Sequence, residues 1–170
     1  MITGELLSPT VADAATGILH TAATIDVDRV EQIMLDTLPL VDCPLKHTFT
    51  PGLYTRQIFI PKDTLITSRE HITEHPFVVI SGDISVFSDN EQSQRYVAPH
   101  VGVTLPGTRR VLFAHEDTIW ITFHATDLTK PDEIVEAVTA PYCNKYLGGD
   151  DPRLQLWREV KTPQILEESK

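Results

Sequence analysis

The stretch REHITEHPFVVISGDISVF, residues 69–87, decides how this chain is read. From His75 onward, β-branched and aromatic residues run to Ile80, break at Ser81-Gly82-Asp83 and resume at Ile84. That is the pattern of two short strands with a turn between them. The same stretch sets His71 and His75 four residues apart, just ahead of the first run. In a regular strand alternate side chains share a face, so Arg69, His71, Thr73 and His75 line up together. Glu74 has the opposite parity and needs a bulge to reach that side.

Working outward, the strand pattern recurs. It appears in YTRQIFI (54–60), RYVA (95–98), VGVTL (101–105), RRVLF (109–113) and TIWITFH (118–124), separated by PKD, SDNEQ, PH, PG and AHED. Close spacing with no helical period in between predicts an antiparallel barrel or sandwich. HEDT (115–118) reads as a hairpin turn in which Asp117 makes an Asx-type bond. Trp120, Thr122 and His124 share one strand face and Ile119, Ile121 and Phe123 the other, and either face fits an interior. His100, after Pro99, falls in an exposed turn.

The flanks have a different period. Val27, Val30, Ile33, Met34 and Leu38 recur at three-and-four spacing, with Asp26 or Asp28 as a cap. A second helix carries Ile134, Val135 and Val138, with Asp127 or Thr129 as a cap and Pro131 in its first turn. A third short helix is expected over 151–160, and the first 24 residues are expected to be loose or to pack on a partner. The organisation is thus an N-terminal helical extension (1–40), a β-barrel (41–126) and a C-terminal helical extension (127–170).

Composition narrows the function. The 170 residues suit one domain with appendages, and 41% apolar residues suffice for one core. Against 24 Asp+Glu stand 14 Lys+Arg, a net charge of −10. Such a surface repels phosphate backbones and anionic lipid, so neither a nucleic-acid polymer nor a membrane is an expected partner. A local basic pocket for a small anion stays open. Cys43 and Cys143 are far apart and form no disulfide framework, which reads as reduced thiols in a cytoplasmic protein. No basic start with an apolar core opens the chain, and no apolar run approaches ~18–20 residues.

The 61–83 stretch, PKDTLITSREHITEHPFVVISGD, resembles the first sequence motif of the cupins. Asp63 stands near that motif's opening glycine, and Arg69 and His71 at its two histidines. His75 takes the place of its glutamate and Gly82 that of its closing glycine. LPGTRR (105–110) resembles the second motif, with Pro106 and Gly107 kept and Arg110 where a ligand histidine stands. The chain is similar above all to short cupin-like proteins of bacteria and phages. These share Val41-Asp42-Cys43-Pro44-Leu45, Pro51-Gly52-Leu53-Tyr54-Thr55-Arg56, the 69–75 core and Gly107-Thr108-Arg109-Arg110-Val111-Leu112. The resemblance spans roughly residues 41–127. It implies an all-β fold, a double-stranded β-helix or jelly-roll barrel, with helical extensions.

It also implies a metal site. His71 and His75 are the expected ligands and His115 a third, with His100, His124 and Glu74 as further candidates. The metal would be a divalent ion such as Fe, Mn, Ni or Zn, all of which accept imidazole. Glu74 and Tyr54 are the catalytic candidates, though Glu74 reads equally as a solvated carboxylate and Tyr54 as a core tyrosine. Arg56, Arg69 and Arg110 are the candidate ligand clamp, since fixed cations oppose a metal and favour an anion, though Arg69 and Arg110 read equally as members of a structural ion pair. Arg109 reads as a surface or dimer contact. Three functions remain open. One is a metal-dependent isomerase, lyase or dioxygenase acting on a small polar or anionic substrate. Another is a binding or sequestering module for a small anion such as a nucleotide or sugar phosphate. The third is a degenerate barrel serving a partner protein. A homodimer is expected, because the 27–38 stripe has to be covered.

Overall fold

The computed structural model describes residues 25–89, 93–148 and 151. The expected loose N-terminal segment, and all but Asp151 of the helix expected over 151–160, lie outside them. Among the described residues two helices, α1 (Val27–Thr37) and α2 (Pro131–Val138), bracket nine strands. These are β1 (Leu45–Thr50), β2 (Leu53–Ile60), β3 (Leu65–Thr67), β4 (His75–Ser81), β5 (Asp83–Ser88), β6 (Gln94–Val97), β7 (His100–Thr104), β8 (Arg110–Ala114) and β9 (Thr118–Ala125).

The strands form a five-stranded sheet, β1-β2-β9-β4-β7, facing a four-stranded sheet, β3-β8-β5-β6. From β2 to β9 the partners nest from the outside inward: β2 with β9, β3 with β8, β4 with β7, β5 with β6, all antiparallel. That nesting is a jelly roll, the double-stranded β-helix expected from the sequence. β1 is an added edge strand. Its hairpin with β2 turns on Pro51-Gly52, and the Gly52 N–H donates to the Asp127 carboxylate at 2.9 Å.

The nesting changes the reading of HEDT. β8 and β9 belong to different sheets, so residues 115–117 carry the chain across the sandwich and close no hairpin. Asp117 accordingly accepts from the Lys62 N–H at 2.8 Å, in the opposite crossing, and not from its own turn. Gly82 makes the corresponding crossing from β4 to β5 at φ +95, the left-handed region. A Cβ there would lie 2.3 Å from Thr118 Oγ1 and 2.6 Å from the Asp117 carbonyl, so only glycine fits. Asp63, near the motif's opening glycine position, also has positive φ, which aspartate tolerates better than most residues.

Between the sheets lies the main core: Ile60, Phe77, Val79, Ile84, Val86, Leu112, Ala114 and Trp120. Helix α1 starts at Asp26, whose carboxylate accepts from the Arg29 N–H. Its Val27 and Val30, with Ile25, pack on Leu65, Val111 and Phe113, the outer face of β3 and β8. The start of the apolar stripe is therefore buried against its own barrel, with Met34 and Leu38 partly buried beside it. Arg109, expected at the surface or in a dimer contact, holds this helix. It pairs with Asp28, and with Glu31 at 2.6 Å. Glu31, 3% exposed, also accepts from Thr67 at 2.6 Å, Tyr142 at 2.9 Å and Asn144 at 3.0 Å. Helix α2 is preceded by Lys130 without a side-chain cap, Asp127 being engaged with Gly52. Its Ile134 and Val138 pack on Tyr54 at the other end of the barrel.

Candidate functional site

Strand register builds the site in tiers across the five-stranded sheet. Tyr54 on β2 faces His124 on β9, and His75 on β4 faces Thr104 on β7. Phe77 pairs with Thr122, so two residues further along the same ladder His75 meets His124. Tyr54, His124, His75 and Thr104 thus cross the barrel interior in one row. The next tier holds Arg56, Thr122, Phe77 and Gly102, and the one after it Ile58, Trp120, Val79 and His100. The Trp120, Thr122 and His124 face is therefore the interior one.

His71 arrives differently. Residues 69–74 are not a strand, and His71 is held by two isolated bridges, to Thr108 and Thr139. Its N–H donates to the Thr108 carbonyl at 3.1 Å, and its carbonyl accepts from Gly107 at 2.7 Å. This puts the His71 ring 4.4 Å from that of His75 and 6.0 Å from that of His124, with His75 and His124 4.3 Å apart. The third histidine of the cluster is thus His124. His115 lies in the β8–β9 crossing, where its Nε2 meets Ser85 Oγ at 2.7 Å and its ring abuts Phe113 edge-on. His100 stacks on Tyr96 at 4.0 Å, part-buried at the start of β7 and away from the cluster. Glu74 is exposed outside the barrel. Tyr54 is 1% exposed, with its hydroxyl 2.6 Å from His47 Nδ1, and is part of the wall behind the cluster.

A cavity of about 200 Å3 opens in front of these groups. His71, His75, Thr104, Arg110, Arg56 and Thr122 form its polar end. The guanidinium of Arg110 donates to Thr104 Oγ1 at 2.7 Å and lies over the Phe77 ring at 5.2 Å. Phe77 reaches that position because its β7 neighbour is Gly102, where a Cβ would come within 2.4 Å of the ring. Arg69 is part-buried and not on the cavity wall. It acts on Arg56 through space, its charge adding to the burial that lowers the Arg56 pKa, while Tyr54 opposes.

The imidazoles are held neutral. Burial first, then the neighbouring His75, His124, Arg110 and Arg56, push His71 down to about 3. Burial, then His75 and Arg56, push His124 down to about 4. Burial and Arg110 also lower His75, against the bond from its Nδ1 to the Thr73 carbonyl. His71 Nδ1, His75 Nε2 and His124 Nδ1 are buried with no hydrogen-bond partner.

Neutral imidazoles with orphaned nitrogens are the right donors for a transition metal. Their placement gives no complete ligand set. Among the described residues no group of three or more His, Cys, Asp or Glu is positioned to hold a metal ion. The His75 ring is tilted against those of His71 and His124, and Arg56 and Arg110 set positive charge beside the cluster.

No family model matches the sequence, and no curated protein does. Among solved structures the chain is similar to a cupin-2 domain-containing protein from Shewanella frigidimarina (12% identity, 54% of this chain and 88% of that one, TM-score 0.42). It is similar to an RmlC-like cupin family protein with a double-stranded β-helix fold from Methanocaldococcus jannaschii (8% identity, 58% and 90%, TM-score 0.43). It is also similar to an uncharacterized conserved protein with a double-stranded β-helix domain from Klebsiella pneumoniae (16% identity, 54% and 85%, TM-score 0.44). Likeness at this level carries no functional inference, and the strand pairing defines the fold by itself.

Proposed function

We propose that this small cupin-like barrel binds a small organic anion at the polar end of its cavity, through Arg56 and Arg110. The observation that carries the reading is Arg56. Its guanidinium lines the cavity in the second tier of the barrel, and no carboxylate among the described residues lies within ion-pair distance of it. A charge drawn into a barrel without a counter-ion costs several kcal/mol, and an anionic ligand removes that cost. A guanidinium also matches a carboxylate or phosphate edge with two parallel bonds. The neutral histidines then serve as hydrogen-bonding groups for the ligand. A free imidazole pushed to about 3, like that of His71, is poorly matched to general acid–base work at neutral pH.

The test is calorimetric titration and thermal unfolding with acetate, inorganic phosphate and larger carboxylates and phosphates. A bound anion raises the Tm by mass action on the folded state. Binding is expected in the wild type and lost in Arg56→Met. Equal binding by that variant, or no binding of any anion to the wild type, overturns the reading. The orphaned nitrogens of His71, His75 and His124 favour a second reading, a metal-dependent enzyme. Near-stoichiometric metal in untagged protein, lost in the His71→Ala/His75→Ala variant, would put that reading first.

A further inference from the structure

We infer that the ligand is an amphipathic carboxylate: one anionic head with an apolar body that carries no hydroxyl groups. This rests on the anion-binding reading above and specifies its ligand class. The cavity is divided lengthwise. Arg56 and Thr122 share one tier and Ile58 and Trp120 the next, two residues along the strands or ~7 Å away. Beyond the charged tier the cavity is lined by Ile58, Trp120 and Leu112 of the barrel and by Met34, Leu35 and Leu38 from α1 and its end.

Polar groups do occur on the far walls, but the protein already uses the buried ones, Thr64 Oγ1 donating to the Lys62 carbonyl, while Asp63, also on the wall, is exposed to solvent. Thr67 Oγ1 and the Tyr142 hydroxyl donate to Glu31, and Ser68 Oγ accepts from the Arg110 N–H. Glu31 itself serves Arg109, Thr67, Tyr142 and Asn144. A sugar phosphate placed with its head at Arg56 would bury its hydroxyls against apolar side chains, which costs unless each finds a partner. An apolar body meets no such penalty. The cavity, at about 200 Å3, lies below the ~300–1,000 Å3 usual for drug-sized ligands, which asks for a short chain or a single ring. The head is assigned as a carboxylate because the charged tier holds one cavity-facing fork at Arg56 and a second, Arg110, already bonded to Thr104. Phosphate groups are commonly bound at a helix N-terminus or a cradle of backbone N–H groups, and neither lines this tier.

The experiment is a calorimetric series on the full chain with acetate, butanoate, hexanoate and octanoate, beside inorganic phosphate and glucose 6-phosphate. Each added methylene is expected to tighten binding about fourfold until the cavity is full, the equivalent of ~0.8 kcal/mol. Leu35→Gln is expected to flatten that dependence while acetate binding persists. Leu40→Gln, at a cavity-lining residue that is 53% exposed, provides the same readout with little risk to folding. Tight glucose 6-phosphate or phosphate binding with no chain-length dependence overturns this inference and leaves the anion site standing. No binding by any probe overturns both.

Discussion

Two buried polar assemblies border one cavity, and they are built in opposite ways. Outside β8, Glu31 gathers Arg109, Thr67, Tyr142 and Asn144, while Arg109 also reaches Asp28. Charge is matched by charge, and donors converge on acceptors. Inside, His47, His71, His75 and His124 each bury a ring nitrogen that has no hydrogen bond, beside Arg56, which among the described residues has no carboxylate within ion-pair distance. The outer assembly is what a structural joint needs: it fastens α1 to the barrel and to residues 142–145. The inner one leaves polar groups uncompensated, and native proteins tolerate that mainly where something else completes the site. The difference marks one as scaffold and the other as site, although both contain buried arginine neighbours from the same dipeptide, Arg109-Arg110.

The sharpest way to break this comparison is to remove one partner from each side. Glu31→Ala strips Arg109, Tyr142, Thr67 and Asn144 of their common acceptor. It is expected to cost ~2–3 kcal/mol in urea unfolding, since buried donors lose their acceptor while Arg109 keeps Asp28. A loss below ~1 kcal/mol would mean that the joint is ornamental. Acid tests the inner assembly. The unfolded imidazoles titrate near 6.5, while folded His71 and His124 hold out to about 3 and about 4. Below pH 6.5 the unfolded chain takes up protons that the folded chain refuses, so stability falls as pH drops from 6.5 toward 3. Urea midpoints measured across that window should fall steeply in the wild type and more gently in His71→Leu/His124→Leu. Parallel slopes would show that the histidines are not held neutral. Arg56→Met is expected to leave stability unchanged or raise it by about 1 kcal/mol while abolishing anion binding, the reverse of Glu31→Ala. At the small end, Lys130→Ala removes an exposed pair with Glu133 and should leave the unfolding midpoint unmoved.

Seven strands were legible in the sequence because their apolar residues alternate between turn residues. β1 and β3 were not. β1 (LKHTFT) is a mostly exposed edge strand whose inward His47 carries no apolar signal, and β3 is three residues long. In the site, His71 and His75 were marked by their spacing, but the strand expected through them begins only at His75. His124 was visible as a residue on the Trp120 face, and sequence alone could not say that this face points inward. The sequence placed His115 in a hairpin turn between β8 and β9. Jelly-roll nesting sends them to different sheets and takes His115 with the crossing. Adjacent residues of β-structure point to opposite sides, which separates the clamp arginine, Arg110, from the helix-holding Arg109.

Gly102 gives the charged tier an unexpected dependence. It sits on β7, the outermost strand of its sheet, and offers Phe77 the room of a missing side chain. Phe77 in turn supports the guanidinium of Arg110 on its ring face. The height of a cation inside the barrel is therefore set at the sheet's edge by an atom that is not there. A single methyl group added at that edge would be transmitted inward as a displaced charge, making β7 a place where the site can be retuned without touching any residue that lines it.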